Sequence, residues 1–152
     1  MLKFMVTFIG EFECKADVKG RIVLPADFKK AVGQGEFRFV VRKHLFQQCL
    51  EIHLHSHWEE LLEQLRKKLN PYNRKHDQLK RSLFKNNLQL SLDGNGRFLI
   101  PRRLMEEISA DREVILLGND NVIEIWDKEL YKSKKENPDE LANLAEEILG
   151  ST

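Results

Sequence analysis

Cysteine is scarce in this chain: of 152 residues only Cys14 and Cys49 are cysteine, far apart, with no C-x-x-C and no His/Cys spacing of a structural zinc site. Both read as reduced, small packing residues. Long apolar runs are missing too, since no stretch approaches the roughly 20 residues needed to span a bilayer. The opening MLKFMVTFIGEFE has one lysine and a short apolar run that soon meets Glu11 and Glu13, without a small-residue cleavage site, so a cytoplasmic protein is expected. Nor is there an excess of either charge. Lys and Arg number 25 against 24 Asp and Glu, a net charge of +1, so any contact with nucleic acid must rest on locally placed basic side chains.

Catalytic signatures are equally absent. There is no G-x-S-x-G, no Walker motif and no cysteine with a partnered histidine, so neither an enzyme nor a cofactor is expected. Gly33-Gln34-Gly35 lacks the third glycine and following helix of a phosphate-binding turn and reads as a helix terminator. His53, His55 and His57 alternate and would share a strand face able to hold a metal, but Ser56 reads as a helix start, which breaks that geometry. Asp93-Gly94-Asn95-Gly96 looks like the start of a calcium loop, yet Arg97 stands where a ligand should be and the closing glutamate is missing.

What the chain does contain, at 41% hydrophobic and 32% charged residues, is the material of a soluble globular protein, and it contains one stretch twice. Asp17-Val18-Lys19-Gly20-Arg21-Ile22-Val23-Leu24-Pro25 returns 76 positions later as Asp93-Gly94-Asn95-Gly96-Arg97-Phe98-Leu99-Ile100-Pro101. Phe28 then matches Leu104, Phe39-Val40-Val41 matches Ile115-Leu116-Leu117, and Glu51-Ile52 matches Glu124-Ile125 once three residues are removed from a loop. A packing pattern alone would let Asp and Arg drift, so the shared polar residues mark a duplicated small domain.

The local patterns repeat with it. Phe12 to Lys19 alternates, placing Phe12, Cys14, Ala16 and Val18 on one strand face. Gly20 makes a turn, Ile22-Val23-Leu24 a second strand, and Pro25 opens a helix that runs through Val32 to Gly33 and Gly35. Phe37 to Val41 and Cys49 to Leu54 read as a strand pair. Ser56 and Glu59 stand at capping-box spacing before a helix whose apolar face holds Trp58, Leu61, Leu62, Leu65 and Leu69; its Arg66-Lys67-Lys68 run reads as a solvated face.

The second copy starts with a short helix over Asp77 to Phe84. Alternation follows at Leu88, Leu90 and Leu92, then a turn at Gly94-Asn95-Gly96, a strand from Phe98 to Ile100, and a helix from Pro101 to Ile108. Strands Val114 to Leu117 and Val122 to Trp126 flank Gly118-Asn119-Asp120-Asn121. An amphipathic helix through Leu141, Leu144, Ala145, Ile148 and Leu149 follows Asn137-Pro138-Asp139, and Gly150-Ser151-Thr152 reads as frayed. The expected division is 1–75, with a core unit over about 11–54 and a helix over 56–69, and 76–152, with a core unit over about 87–127 and the C-terminal helix.

Strand, D-x-x-G-R, apolar triplet, Pro and short helix resemble the swapped-hairpin domain of AbrB-type transcription regulators. Two copies in one chain resemble the MraZ family, linked to bacterial division and cell-wall gene clusters. Further matching signs are the opening F-I-G-E-F and the I-L-L-G followed by I-E-I-W near the end. The resemblance implies an α+β fold in which two β-rich halves form an intrachain pseudo-dimer. It implies a cytoplasmic, nucleoid-associated protein that binds double-stranded DNA and assembles into a homo-oligomeric ring, with no membrane and no small-molecule substrate. Its D-x-x-x-R reading falls here on Asp17 with Arg21 and Asp93 with Arg97.

The residues make a physical case of their own. A guanidinium can bind guanine O6 and N7 bidentately or fork onto phosphate, and a two-stranded ribbon is narrow enough for a major groove. Gly20 and Gly96 let backbone approach backbone, and Asp17 and Asp93 are placed to orient the arginines. Equally, Asp and Arg could close the turn without touching DNA. Lys15 and Lys19 are added phosphate contacts in the first copy, whereas Ser91 and Asn95 hold those places in the second, so the second half is expected to grip phosphates less strongly. A near-neutral chain should bind one site weakly and gain affinity from repeated operator sites. The alternative is an antidote or scaffold protein of the same fold whose partner is a protein.

Overall fold

In the computed structural model the described residues are 6–35 and 37–150, so Ser151 and Thr152 of the expected frayed end lie outside them. The fold is α+β. The first half carries β1 (Phe8–Lys15), β2 (Arg21–Val23), α1 (Ala26–Val32), β3 (Arg38–Lys43), β4 (Leu50–Leu54) and α2 (His55–Lys68). After α3 (Arg74–Phe84) the second half repeats that order with β5 (Leu88–Ser91), β6 (Arg97–Leu99), α4 (Arg102–Glu107), β7 (Glu113–Asp120), β8 (Val122–Asp127) and α5 (Lys128–Ser133), followed by α6 (Pro138–Leu149).

The halves are interleaved rather than set side by side. Six strands form one sheet in the order β1-β7-β8-β4-β3-β5, so each half's first strand pairs with the other half's hairpin. A pseudo-twofold axis runs between β4 and β8, where Leu50 faces Ile125, Glu51 faces Glu124 and Ile52 faces Ile123. The two short strands β2 and β6 pair only with each other. Swapping of this kind gives one hydrophobic core to both repeats, between the inner sheet face and the β2–β6 ribbon with α1 and α4. Ile22, Phe28, Val41, Leu50, Leu104, Val114, Leu116, Ile123 and Ile125 are all completely buried there. Phe28 meets Phe8 and Phe12 edge-on, at 5.5 and 5.0 Å between centroids. Burial of each such side chain is worth about 1.5–3 kcal/mol.

Several boundaries differ from the sequence reading. Strand β1 runs Phe8–Lys15 and has ended before Val18, which stands 85% exposed in the turn rather than on the apolar face with Ala16. Alternation continues through residues that the turn withdraws from the sheet. Helix α2 begins at His55, capped by no side chain, so the expected Ser56–Glu59 box does not form and Glu59 pairs instead with His55 Nδ1 at 3.2 Å. Pro25 precedes α1 as its cap residue and accepts from the Phe28 and Lys29 amides. Helix α3 starts three residues earlier than expected, because the Asn73 side chain accepts from the Lys75 and His76 amides. The turn after Leu117 shrinks, as Asn119 already faces Val122 across the β7–β8 hairpin. Helix α5 had no sequence signal; Asp127 caps it and Tyr131 packs on Trp126 at 5.8 Å.

Cys14 and Cys49 are free thiols, and burial, with Glu124 and Glu51 nearby, pushes Cys49 up to about 12. No helix among the described residues is long and apolar enough to cross a membrane.

Candidate nucleic-acid interface

Each D-x-x-G-R stretch folds into the same closed turn. In the first, Asp17 N donates to Arg21 O at 3.0 Å and Gly20 N to Asp17 O at 3.0 Å, which requires Gly20 at φ +88. One Asp17 oxygen, Oδ1, accepts from the Lys19 and Arg21 amides at 2.9 Å each. The other, Oδ2, accepts from Arg21 Nε at 2.6 Å. The second turn repeats every bond: Asp93 N to Arg97 O at 2.8 Å, Gly96 N to Asp93 O at 3.0 Å, the Asn95 and Arg97 amides to Asp93 Oδ1 at 2.9 Å, and Arg97 Nε to Asp93 Oδ2 at 3.0 Å. The aspartate thus both closes the turn and aims the arginine. It occupies Nε and leaves the outer guanidinium nitrogens for an external partner.

The turns are locked to each other. Ile100 N donates to Gly20 O at 3.1 Å and Leu24 N to Gly96 O at 3.0 Å, so each turn is held by the strand that follows the other. In the ribbon between them Ile22 faces Phe98, both buried, while Arg21 faces Leu99 and Val23 faces Arg97. Side chains alternate along a strand, so Arg21, Val23, Leu99 and Arg97 share the outward face. Val23 and Leu99 are 55% and 49% exposed there, between two arginines at diagonal corners about 8 Å apart across the two strands. Arg97 Nη1 also approaches Asp17 Oδ2, at 3.9 Å.

Hydrogen bonds, more than charge, set the protonation of these groups. Asp17 is held down to about 2, chiefly by the Arg21 amide, then by the Arg21 guanidinium and the Lys19 amide. Asp93 is lowered likewise, with the Arg97 amide the largest cause. Both carboxylates are therefore anionic wherever the fold is used.

The basic surroundings of the two turns differ. A cleft of ≈ 400 Å³ beside the first is lined by Lys19, Arg102 and Arg112 and by Asp17, Glu106 and Asp111; Arg102 Nε meets Glu106 Oε1 at 3.2 Å, and Arg112 donates from Nε to Ala16 O at 3.1 Å. Lys19 is exposed at the tip, but Lys15 stands on the outer sheet face, opposite Glu113 in the register and away from the buried Ala16. Beside the second turn, Ser91 and Asn95 bring no charge. The space that a β-carbon on Gly96 would fill is held by Lys29 Nζ and Cε, reaching from α1 of the first half. Position 105, the counterpart of Lys29, is a buried methionine. Neither this lysine nor the exposed Val23 and Leu99 emerged from the sequence reading. For Val23 and Leu99 the strand register would have been the clue.

The three histidines do not converge. Strand β4 ends at Leu54, so His53 lies on the sheet and His55 and His57 on α2. His53 is buried and stacks on His57 at 5.5 Å and near Trp58 at 5.7 Å. Arg42 covers the Trp58 ring at 5.1 Å, and burial together with His53 lowers His57. Among the described residues no three His, Cys, Asp or Glu side chains gather as a metal shell would need.

The comparisons with known proteins find the same twofold division of the chain. The profile of the family described as "MraZ protein, putative antitoxin-like" matches residues 7–81 and again 83–149. The chain belongs to the MraZ family. A protein of Bacteroides thetaiotaomicron named Transcriptional regulator MraZ is 38% identical over 146 residues, covering 95% of this chain and 94% of that protein. Relatives of the same name from Christiangramia forsetii and Lachnoclostridium phytofermentans are each 34% identical, over 149 and 142 residues, with 97% and 93% of this chain and 96% of each relative covered. The two matched stretches between them include both turns.

Proposed function

We propose that this chain is a transcription regulator that binds DNA sequence-specifically through the outward face of its β2–β6 ribbon, with no catalytic step. One observation carries the reading: Arg21 and Arg97 are each fixed at Nε by an aspartate and stand on one exposed face, and of their outer nitrogens Arg97 Nη1 meets Asp17 Oδ2 only at a long 3.9 Å. That is the geometry for bidentate contact with guanine O6 and N7, and Val23 and Leu99 between them suit contact with a thymine methyl group. The relatives' shared name, Transcriptional regulator MraZ, agrees with it.

Lys19 at the first turn and Lys29 at the second act as phosphate contacts. Lys15 contributes only at longer range from the other face of the sheet. Asp17, Gly20, Asp93 and Gly96 hold the turns. Since one chain offers few cations, useful affinity comes from several copies of the chain on repeated operator sites, in a closed homo-oligomer, with gains on the order of 10²–10⁴ from multivalency. The operators read are those of a division and cell-wall gene cluster, where repression follows from occupying the promoter, and the protein works in the cytoplasm on the nucleoid.

The test is a footprint and titration on the DNA upstream of the protein's own gene, using wild type and the Arg21→Ala/Arg97→Ala double variant. Wild type should protect spaced repeats, and the double variant should lose discrimination while keeping its circular dichroism spectrum. Equal affinity of the two for the same duplex would remove the arginines from the reading. A steep fall of affinity with salt separates DNA from a protein partner, the antidote alternative that the family's description keeps in view.

A further inference from the structure

The outer face of the sheet carries one arrangement twice, once with a tryptophan and once with a histidine. In the second half Trp126, two residues after Glu124, donates its indole N–H to Glu124 Oε1 at 3.0 Å, and Tyr131 of α5 packs on its ring. In the first half the same offsets place His53 two residues after Glu51 and set Trp58 of α2 on the His53 ring, at 5.7 Å. The hydrogen bond is not repeated. His53 is 1% exposed, yet its Nε2 stands 3.8 Å from Glu51 Oε2, too far for such a bond, and neither ring nitrogen has a hydrogen-bond partner among the described residues. An indole N–H is a permanent donor, whereas an imidazole takes up a proton near neutral pH.

His53 lies under the point by which the α2–α3 hairpin is held. Among the described residues of α2 only Trp58 is buried and none of α3 is, and Phe84 of α3 meets the Trp58 ring edge-on at 6.3 Å. His57, just before Trp58, stacks on His53 at 5.5 Å with the rings 27° apart. Charged groups come to this pair from each element around it. Glu51 stands beside His53 on β4 and accepts from Arg42 Nε of β3 at 3.1 Å, and the same Arg42 covers Trp58. Glu124 of β8 lies opposite Glu51, Asp120 ends β7, and α2 adds Glu60 and the His55–Glu59 pair. Val40 and Val122, which flank His53 in the register, bring no charge.

Glu51 can balance one imidazolium, on His53. A second, on His57, would lie against the first, with Arg42 as a further positive charge close by. Burial first, and then His53, hold His57 below its ordinary value of 6.5; Arg42 acts in the same sense, and Glu60 and Asp120 oppose it. A base lowered in this way supports the folded arrangement fully above 6.5, and that support is lost as pH falls from there through the folded value. We propose that the His53–His57 pair is a proton-operated latch, whose charging releases the α2–α3 hairpin from the sheet while the shared core and the β2–β6 ribbon stay folded. The hairpin joins β4 to β5 and so links the two halves. Its release loosens that link and exposes Trp58 without unpairing the strands that interleave the halves. The latch works whatever the ribbon binds.

The experiment is amide hydrogen exchange on the full chain from about pH 7.5 to about pH 5, with side-chain NMR of the histidines alongside. Protection of α2 and α3, corrected for the intrinsic pH dependence of exchange, should fall relative to β7 and β8 by up to about tenfold for each pH unit below the ordinary value of His57, in step with its protonation. His57→Gln, at a half-buried position, should hold the hairpin's protection level across that range with an unchanged circular dichroism spectrum. His76 supplies the control, because its Nδ1 accepts from the Asn70 amide in the α2–α3 turn at 2.9 Å and acid would break that bond too. His76→Gln should keep the wild-type response. Hairpin protection that stays level in wild type, or that falls as far in His57→Gln, would overturn the latch. So would a response abolished by His76→Gln, or one in which the sheet opens together with the hairpin.

Discussion

The two turns have the same backbone and different company. Around the first, Lys19 stands at its own tip and Arg102 and Arg112 come from the second half. Around the second, Asn95 replaces the lysine, and Lys29 reaches the turn from the first half. The clamps differ in degree as well: Arg21 Nε lies 2.6 Å from its aspartate and Arg97 Nε 3.0 Å from its own, while Asp17 alone also draws the opposite arginine to 3.9 Å. Duplication kept what closes and aims the turn and let the phosphate-gripping side chains diverge. Closure needs one residue type at one place, whereas positive charge near a groove can be delivered from any neighbouring element.

The largest effect that bears on this comparison is on the ribbon that both turns share. Phe98 and Ile22 face each other and are almost wholly buried, so Phe98→Ala should cost about 3–5 kcal/mol and Ile22→Ala about 2–5 kcal/mol of stability. Both should unfold the chain in one transition under denaturant. Two separate transitions would show that the halves are independent and that the shared core has been overstated.

Next come the arginines singly. Arg21→Ala and Arg97→Ala should each cost about 1–3 kcal/mol in operator binding and relax one base preference. Arg21→Ala should leave the larger residual affinity, since Lys19 remains at the tip of its turn. Titrations in which Arg97→Ala is the better binder would reverse the assignment of the weaker turn.

A smaller effect separates the lysines. Lys29→Met keeps the aliphatic stem and removes the charge. It should flatten the log–log salt dependence by about 0.9 per engaged copy without changing the ranking of operators. Asn95→Lys in that background should restore the slope, and Lys15→Ala should change least of all. A Lys29→Met slope equal to wild type would leave the second turn without a phosphate contact.

The finest test is protonation. A carboxyl whose folded value is depressed stabilises the folded turn fully above its ordinary value of 3.8, and that contribution is lost as pH falls through the folded value. For Asp17 that loss runs from its ordinary value of 3.8 down to about 2. Asp93 is lowered as well, but its clamp is longer and it has one arginine rather than two, so in a carboxyl NMR titration Asp93 should protonate before Asp17. The reverse order would contradict the ranking of the clamps.

The turns were legible because their chemistry is local. Asp, Gly and Arg at fixed offsets are each demanded by a bond within five residues, and the repeat showed which polar residues mattered. Val18 was misplaced for a related reason, since alternation says nothing about where a turn leaves the sheet. Helix α5 was not legible, because its six residues form no apolar period and their order depends on Trp126 beneath Tyr131. Helix α6 was legible as a helix, but not as one whose apolar face stays open, because periodicity reports a face and not what lies opposite.

What the sequence determined by itself is the repeat, the two closed turns, the arginine at the end of each and the apolar faces of the helices. All of these follow from bonds and periods between residues near in the chain. Only the tertiary structure decided that β2 pairs with β6, that each half's first strand crosses to the other, that Lys29 serves Gly96 rather than its own turn, and that Lys15 stands on the far side of the sheet. Three-residue strands carry too little pattern to choose a partner, and a lysine stem reaches in any direction. Both were settled by the shared core, which fixes the halves against each other and so fixes what each side chain meets.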